Sequence, residues 1–306
     1  QTSCISVVLY TVLTLFNTVI RALRFHLLIA VDKTSLVPSK FHICLITMVR
    51  NMLVDLLPAR LGEFSYIAMM NRGCRVPGNL CVSSLSISFV FDFIALVLII
   101  FFVTILQLLT KDLKDPIVEI LIVVIIIVTV MALALFIGIK PSVKIARKAL
   151  ARFSHTKVIT ITLTFLETVT EAIELTFREK VIFKVFLLSI AVRLIKYASL
   201  YILFKGVALE SFVELSGISP IQILFVLISG EAGASLAIPT LMGFGTYEAS
   251  STIALTLFGF PPVASTIVTL VVHIWSQCID YTIGGLAFML FMFHVSKLKN
   301  NRSAEK

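Results

Sequence analysis

Long apolar stretches are the feature that most limits what this chain can fold into. A helix needs about 20 predominantly apolar residues to cross the hydrocarbon core of a bilayer. Stretches of at least that length, poor in charged side chains, occupy roughly 4–30, 80–109, 117–139, 181–204 and 262–294. We expect each of them to form a membrane-spanning helix.

The composition excludes the soluble alternatives. Hydrophobic residues make up 58% of the 306 positions and charged residues 14%, whereas a soluble domain is about 45–50% apolar and about 25% charged. A soluble core cannot bury this much apolar side chain, because its surface still requires polar cover. A soluble enzyme, a secreted disulfide scaffold and a disordered chain are therefore excluded, and we predict an all-α polytopic membrane protein.

The net charge and the cysteines argue against nucleic-acid binding, metal binding and a disulfide framework. The net charge of +9 on so apolar a chain is typical of the positive-inside rule and of contact with anionic lipid headgroups, not of nucleic-acid binding. The five cysteines form no CxxC pair and have no histidine at ligand spacing, so neither a metal site nor a disulfide framework is predicted. HExxH, GxSxG and Walker motifs do not occur, and no cofactor is expected.

The loops between the apolar stretches predict the orientation. Six Lys and Arg residues without an acid lie in 140–157, and the tail 295–306 is also basic. Because cytoplasmic loops carry such an excess, both are expected to lie inside. The loops 110–116 and 205–219 balance or exceed their basic residues with acids and are expected outside. This places the chain in the cell membrane, as a multi-pass protein with a cytoplasmic C terminus.

Two further apolar segments, 41–72 and 220–259, are interrupted in the middle by Pro and Gly. Proline removes a backbone donor and clashes with the preceding turn, whereas glycine tolerates conformations that strain other residues. We expect each segment to fold as a re-entrant hairpin of two short helical arms. The alternative is that the prolines only kink ordinary spans. The predicted break residues are Pro58, Gly62, Pro239, Gly243 and Gly245.

The order of span, broken hairpin and span occurs twice, in opposite predicted orientations. Residues 1–109 form the first repeat and residues 181–294 the inverted second repeat. Residues 117–180 supply a linking span and a cytoplasmic, basic and amphipathic helix, and 295–306 form the tail of this single integral membrane domain. Inverted repeats with broken helices near the midplane are a recurring design of alternating-access transporters.

Ionisable side chains inside apolar segments are costly, so each is a candidate for function. Glu63 and Glu248 follow the breaks, where they either cap the returning helices or pair across a cavity with basic residues and exchange protons. The candidate partners are Arg50, Arg60, Arg193 and Lys196. The predicted headgroup path consists of Arg50, Arg60, Glu63, Asp92, Arg193, Lys196, Glu231, Glu248, His273 and Asp280. Arg21 and Arg24 are expected to snorkel toward the cytoplasmic interface.

Around the two breaks the chain resembles the lysylphosphatidylglycerol synthase transmembrane-region family, the flippase-like membrane part of the multiple peptide resistance factor proteins. The resemblance runs over Arg21-Ala-Leu-Arg24, Leu57-Pro58-Ala-Arg60-Leu-Gly62-Glu63 and Asp92, then over Pro239, Gly243, Gly245, Glu248, Gly259 and Pro262. Two sites depart from the family pattern. The family often has an Arg shortly before the acid, whereas this stretch reads Ser88-Phe-Val-Phe-Asp92, and Val272-His273 stands where a Tyr-Arg pair is common. The resemblance implies the transport region without the aminoacyl-transferase or glycosyltransferase domain that accompanies it elsewhere.

Together these features favour a flippase-like transporter, not an enzyme, that moves an anionic phospholipid or a polyprenyl-phosphate-type headgroup between leaflets. Two alternatives stay open: a membrane-embedded enzyme acting on a lipid phosphate, and a non-transporting partner of a lipid-modifying enzyme. The expected partners are membrane lipids with anionic headgroups. A lipid-modifying enzyme and a second copy of the chain are further candidates, and nucleic acid is not expected.

Overall fold

The computed structural model describes residues 3–32, 37–57, 61–110, 126, 181–235 and 240–304. The predicted linking helix therefore lies outside the described residues, as does the predicted span 117–139 apart from Ile126. The same holds for Pro58, Arg60 and Pro239, so the expectations for these three residues remain predictions.

The described part of the chain is helical and contains no strand. Its α-helices are α1 (Cys4–Ala30), α2 (Lys40–Leu56), α3 (Glu63–Ala68), α4 (Gly78–Thr110), α5 (Ile182–Ser211), α6 (Pro220–Ala234), α7 (Thr246–Leu257) and α8 (Pro262–Ala304). A π-helical turn over Met69–Gly73 extends α3. Four helices, α1, α4, α5 and α8, are long and apolar enough to cross a membrane. They confirm four of the five predicted spans.

Both interrupted segments contain two separate helices. The first helix pair is broken between Leu56 and Glu63, and the second between Ala234 and Thr246. The partners of each pair pack against each other, α2 against α3 and α6 against α7. Each segment therefore contains two packed helices, one on either side of its break, and the re-entrant course of these helices in a membrane stays a prediction.

Serine caps set the start of the first helix in each pair. Ser39 Oγ accepts the backbone N–H of His42 at 3.3 Å at the start of α2. Ser219 Oγ accepts the N–H of Gln222, and Gln222 Oε1 accepts the N–H of Ser219 at 2.9 Å. Pro220 occupies the first position of α6, where no intrahelical donor is lost. Such caps satisfy backbone donors that a helix start otherwise leaves unpaired.

Small residues allow α6 and α7 to approach closely. A Cβ on Gly230 would collide with the side chain of Ser251, and one on Gly233 would collide with Ser250. Such residues at a membrane helix interface allow the two backbones to come together. Gly230 and Gly233, on either side of Glu231 in the sequence, are therefore close-packing positions.

The chain forms two compact units. The first unit comprises Gln1–Leu23, Pro38–Val76 and Leu194–Lys306, and the second comprises Arg24–Val37 and Pro77–Arg193. The division passes through α1 and α5. Each unit therefore combines segments from both predicted repeats.

In the second unit, α1 and α5 run antiparallel. Arg24 Nη1 donates to Ser189 Oγ at 2.8 Å. One turn later on α1, Leu28 shares a buried hydrophobic cluster with Val185, which lies one turn earlier on α5. Opposite directions are what the basic loops predict for these two spans.

In the first unit, α2 and α8 also run antiparallel. The rings of His42 and His294 lie 5.8 Å apart between centroids. A Cβ on Gly284 would collide with the side chain of Met52. From His42 to Met52 the chain advances along α2 by as many residues as it goes back along α8 from His294 to Gly284. The two contacts therefore fix the register of the antiparallel pair.

Candidate functional site

Arg50 and Glu63 form a buried ion pair beside the first break. Arg50 Nε donates to Glu63 Oε2 at 2.6 Å, and Nη2 donates to Oε1 at 2.7 Å. Arg50 is 6% exposed and Glu63 is 8% exposed. Because Glu63 is the first residue of α3, this two-pronged, charge-assisted contact ties the start of α3 to the middle of α2. Arg50, one of the four candidate basic residues, thus pairs with Glu63.

Gly62, just before Glu63, allows the start of α3 to approach α2 closely. A Cβ at Gly62 would collide with the backbone of Leu53 and Val54 on α2. Only a residue without a side chain permits so close an approach of two backbones. The glycine therefore positions the neighbouring Glu63 against α2.

At the second break, Glu248 both caps a helix and pairs with a buried histidine. Its Oε2 accepts the backbone N–H of Gly245 at 2.7 Å, and its Oε1 lies 2.5 Å from His273 Nδ1. On the far side of the ring, Gln277 Nε2 lies 3.0 Å from His273 Nε2. Glu248 is 7% and His273 4% exposed. Capping and pairing, which the sequence posed as alternatives for Glu248, occur together, and among the described residues the charged partner is His273.

Aromatic rings and an unusual backbone hold this second pair. The ring of His273 lies close to the rings of Phe244 and Tyr247, with centroids 4.6 and 4.4 Å away and ring planes tilted by 36° and 32°. Met242, Gly243 and Gly245 all have positive φ angles, of 60°, 71° and 89°. Glycine adopts this conformation without cost, whereas a left-handed Met is strained. The break is therefore a tightly turned segment packed over a buried polar pair.

The helix that carries Arg50 also contacts the second break. In the first unit, α2 packs against the turn Leu241–Gly243 as well as against α3. A Cβ on Gly243 would lie 3.8 Å from His273 Cε1. The turn thus lies against α2 on one side and near the Glu248–His273 pair on the other.

A third polar group links α5 and α6. Lys196 Nζ lies 2.8 Å from Glu231 Oε1, and Tyr197 Oη donates to Glu231 Oε2 at 2.8 Å. The side chains of Lys196 and Glu231 are 31% and 21% exposed. This pair is more accessible than the two pairs at the breaks.

Asp280 lies on α8 and interacts electrostatically with both acidic and basic residues of other helices. The charges of Asp55, Lys196 and Arg21 all act on its carboxylate. Arg21 Nη1 donates to Asn51 Oδ1 at 2.8 Å. The side chain of Arg21 is therefore engaged by α2, and the expectation that it snorkels to the interface stays a prediction.

The second unit contains its own buried ion pair. Arg24 pairs with both carboxylate oxygens of Asp92, with Nη2 to Oδ2 at 3.0 Å, and it also donates to Ser189 Oγ. Only 1% of Arg24 is exposed, so the expectation that Arg24 snorkels is wrong. Arg193 Nε donates to the backbone carbonyl of Asp92 at 3.2 Å. Two arginines thus converge on one residue of α4.

The family model of the lysylphosphatidylglycerol synthase TM region matches residues 2–284. The chain belongs to this family. No curated protein and no solved structure matches the chain. The family is a membrane domain associated with lipid flippase-like and synthase-like function, and together with the four candidate spans it identifies a multi-pass membrane protein.

His273 is one position at which this chain departs from the pattern of the lysylphosphatidylglycerol synthase TM-region family. His273 stands where a Tyr-Arg pair is common among the proteins that this chain resembles. In this chain the imidazole is the buried partner of Glu248. The second break of this chain is therefore built around a buried histidine.

The structure distributes the predicted path residues of this family member between the two units. The first unit holds Arg50, Glu63, Lys196, Glu231, Glu248, His273 and Asp280, and the second holds Asp92 and Arg193. Arg60 lies outside the described residues. Sequence reasoning missed Arg24, Asn51, Asp55, Tyr197 and Gln277 as polar partners. The one signal for Arg24 was its place in a basic doublet that resembles Arg193 and Lys196.

Proposed function

We propose that this protein moves the headgroup of an anionic phospholipid, or of a polyprenyl-phosphate-type lipid, between leaflets by alternating access. The observation that carries the proposal is the buried Arg50–Glu63 pair beside the first break, on a helix that also contacts the second break. Ionisable groups at such positions in membrane proteins mark substrate paths. Paired broken segments point to the binding site of a transporter.

The chemistry of Arg50 suits a phosphate. The planar guanidinium that holds Glu63 through two hydrogen bonds can hold two phosphate oxygens in the same way. In the proposed cycle, a phosphate headgroup displaces Glu63 from Arg50, and the acyl or prenyl chains remain in the bilayer. Both broken segments are then re-entrant hairpins, one in each of two inverted repeats, and their movement changes the side from which Arg50 is reached.

We predict that the double variant Arg50→Gln with Glu63→Gln lowers transport of anionic lipid about tenfold or more. Removing both charges avoids an uncompensated buried ion, which would unfold the protein by itself. A charge-assisted hydrogen bond contributes about 1.5–3 kcal/mol, and each 1.4 kcal/mol is about a factor of ten. The measurement is the loss of outer-leaflet fluorescence from labelled phosphatidylglycerol in proteoliposomes, with labelled phosphatidylcholine as the comparison lipid.

The matched control is Lys184→Gln, which removes an exposed cation from α5. It is expected to transport at the wild-type rate. Equal losses in the control and in the double variant would show that Arg50 has no special role. If folded wild-type protein moves no anionic lipid, the proposed function is wrong.

The Glu248–His273 pair favours a second candidate function, that of a membrane-embedded enzyme acting on a lipid phosphate. A carboxylate that orients a histidine is an arrangement that general acid–base catalysis uses. This candidate predicts a new lipid product in the same vesicles, visible by chromatography, and its loss in Glu248→Gln. Transport without any lipid product would exclude it.

A further inference from the structure

Among the described residues, the amide of Gln277 makes one hydrogen bond, to the ring of His273. Gln277 Nε2 lies 3.0 Å from His273 Nε2, and Gln277 Oε1 is buried without a partner in the same part of the chain. An amide nitrogen donates and does not accept, so this contact requires a lone pair on the ring Nε2. The ring proton therefore lies on Nδ1, which donates to Glu248 Oε1 at 2.5 Å.

The same three side chains also fit a doubly protonated ring. A half-turn about the last bond of Gln277 exchanges the amide oxygen and nitrogen with little change of shape. Gln277 Oε1 then accepts the hydrogen of a protonated Nε2, while Nδ1 still donates to Glu248. One end of the amide lacks a partner in either orientation, but the bond to the ring becomes charge-assisted and therefore stronger. An acceptor for a second ring proton is thus already in place.

The counter-charge for that proton comes from a different helix. His273 is 4% and Glu248 7% exposed, and a buried cation needs a paired and hydrogen-bonded anion. Glu248 lies in the first turn of α7, directly after the second break, whereas His273 lies on α8. When α7 moves away from α8, the ring loses this carboxylate and releases its second proton.

The other ionisable groups of the surrounding elements do not bind this ring. Tyr247 on α7 lies beside it, and its phenol is neutral at physiological pH. The turn Leu241–Gly243 carries no ionisable side chain. The packed helices also carry Glu231 on α6, Arg50 and Asp55 on α2, and Asp280 about two turns further along α8. Among the described residues, the hydrogen bonds of the His273 ring are those with Glu248 and Gln277.

We propose that His273 binds a proton that stabilises the contact of α7 with α8, and that loss of this proton allows the second broken segment to move. The link to lipid movement rests on the proposed function, in which that segment moves. In the protonated form Glu248 and His273 are an ion pair, which is harder to separate in apolar surroundings than a bond to a neutral ring. The proton comes from water and returns to water, one for each opening.

The test follows hydrogen–deuterium exchange of the backbone of α7, Thr246–Leu257, in the full chain in lipid nanodiscs. Release of one proton on opening changes the opening equilibrium by up to about tenfold per pH unit where the ring titrates. After correction for intrinsic exchange, we expect protection in the wild type to fall about tenfold or more between about pH 5 and 8, the range in which imidazole changes its charge. His273→Asn keeps a donor but cannot titrate, and is expected to lose this dependence.

The matched control is His294→Gln, which removes another histidine of α8 that lies near its end, against the ring of His42. It is expected to keep the pH dependence of the wild type. A dependence that persists in His273→Asn overturns the assignment to His273. Protection that does not change with pH in the wild type overturns the proton site.

Two variants of Gln277 decide the matter if His273→Asn fails to fold. Gln277→Glu places a second carboxylate beside the ring and favours its ionised form, so the midpoint of the pH dependence is expected to rise by about one to three pH units. Gln277→Met keeps the bulk but offers only a weak acceptor, so the midpoint is expected to fall by about one pH unit. A purely structural role of Gln277 predicts the same midpoint in all three proteins, and that result overturns the proposal.

The rate at which labelled phosphatidylglycerol changes leaflet in proteoliposomes, with the same pH on both sides, tests the link to transport. We expect this rate to rise with pH through the midpoint seen in exchange. Protection that depends on pH beside a transport rate that does not overturns the control of lipid movement by this proton. If folded wild-type protein moves no anionic lipid, the proposed function is wrong, and the exchange measurement still decides whether His273 binds the proton.

Discussion

Asp92→Asn is expected to destabilise the protein by about 3–5 kcal/mol, since it leaves a buried guanidinium without its counter-charge. Arg24 is almost completely buried, and both oxygens of Asp92 accept hydrogen bonds from it. An asparagine keeps one acceptor oxygen but carries no charge. The remaining polar contact of Arg24, with Ser189, is neutral and cannot compensate. The melting temperature in detergent, followed by size-exclusion chromatography of heated samples, measures the loss.

A double variant separates the cost of an unpaired charge from the cost of altered packing. Arg24→Met combined with Asp92→Leu removes both charges and keeps side chains of similar bulk. Replacing a buried pair in this way is often neutral or stabilising, so we expect the double variant to melt at or above the wild-type temperature. A single variant as stable as the wild type would contradict the prediction.

Gly62→Ala is expected to cost about 3 kcal/mol and to abolish transport. Overpacking typically costs about 1–3 kcal/mol. The upper end applies here because the added methyl group would collide with the backbone of Leu53 and Val54, which cannot rotate away as a side chain can. Relief of the clash moves the start of α3 away from α2 and separates Glu63 from Arg50. Thermal melting and the vesicle transport assay measure the two effects.

Gly285→Ala is the matched control for Gly62→Ala. A Cβ at Gly285 has nothing within 4 Å of it, and α8 is helical through this position. Alanine is favoured over glycine inside a helix by roughly 0.5–1 kcal/mol, so this variant is expected to be slightly more stable than the wild type. If both glycine variants behave alike, close packing at Gly62 is not the cause.

Much of the fold was predictable because it depends on local properties of the sequence. The lengths of α1, α4, α5 and α8 follow from uninterrupted apolar stretches, since the hydrocarbon core excludes unpaired backbone groups and charges wherever they occur. The two breaks follow from Pro and Gly, whose effects on the backbone are intrinsic. The breaks lie where Gly62 and the pair Gly243 and Gly245 stand in the sequence.

The partners of the buried charges were not predictable in the same way. Glu63 had four candidate basic partners, and Glu248 proved to pair with a histidine on another helix. The snorkelling expectation for Arg24 failed because an acid 68 positions along the chain lies beside it in the second unit. Pairing depends on register and on helix rotation, which hydropathy does not encode.

The sequence by itself determined that the chain is a multi-pass membrane protein of the lysylphosphatidylglycerol synthase TM-region family, with two broken apolar segments. Apolar content, proline and glycine act through short-range physics, so they can be interpreted without knowing the fold. Only the tertiary structure decided which scarce charges meet. Arg50 binds Glu63, His273 binds Glu248, and Arg24 binds Asp92. Electrostatic pairing at membrane depth is selected by which helices pack side by side, and that packing exists only in the folded chain.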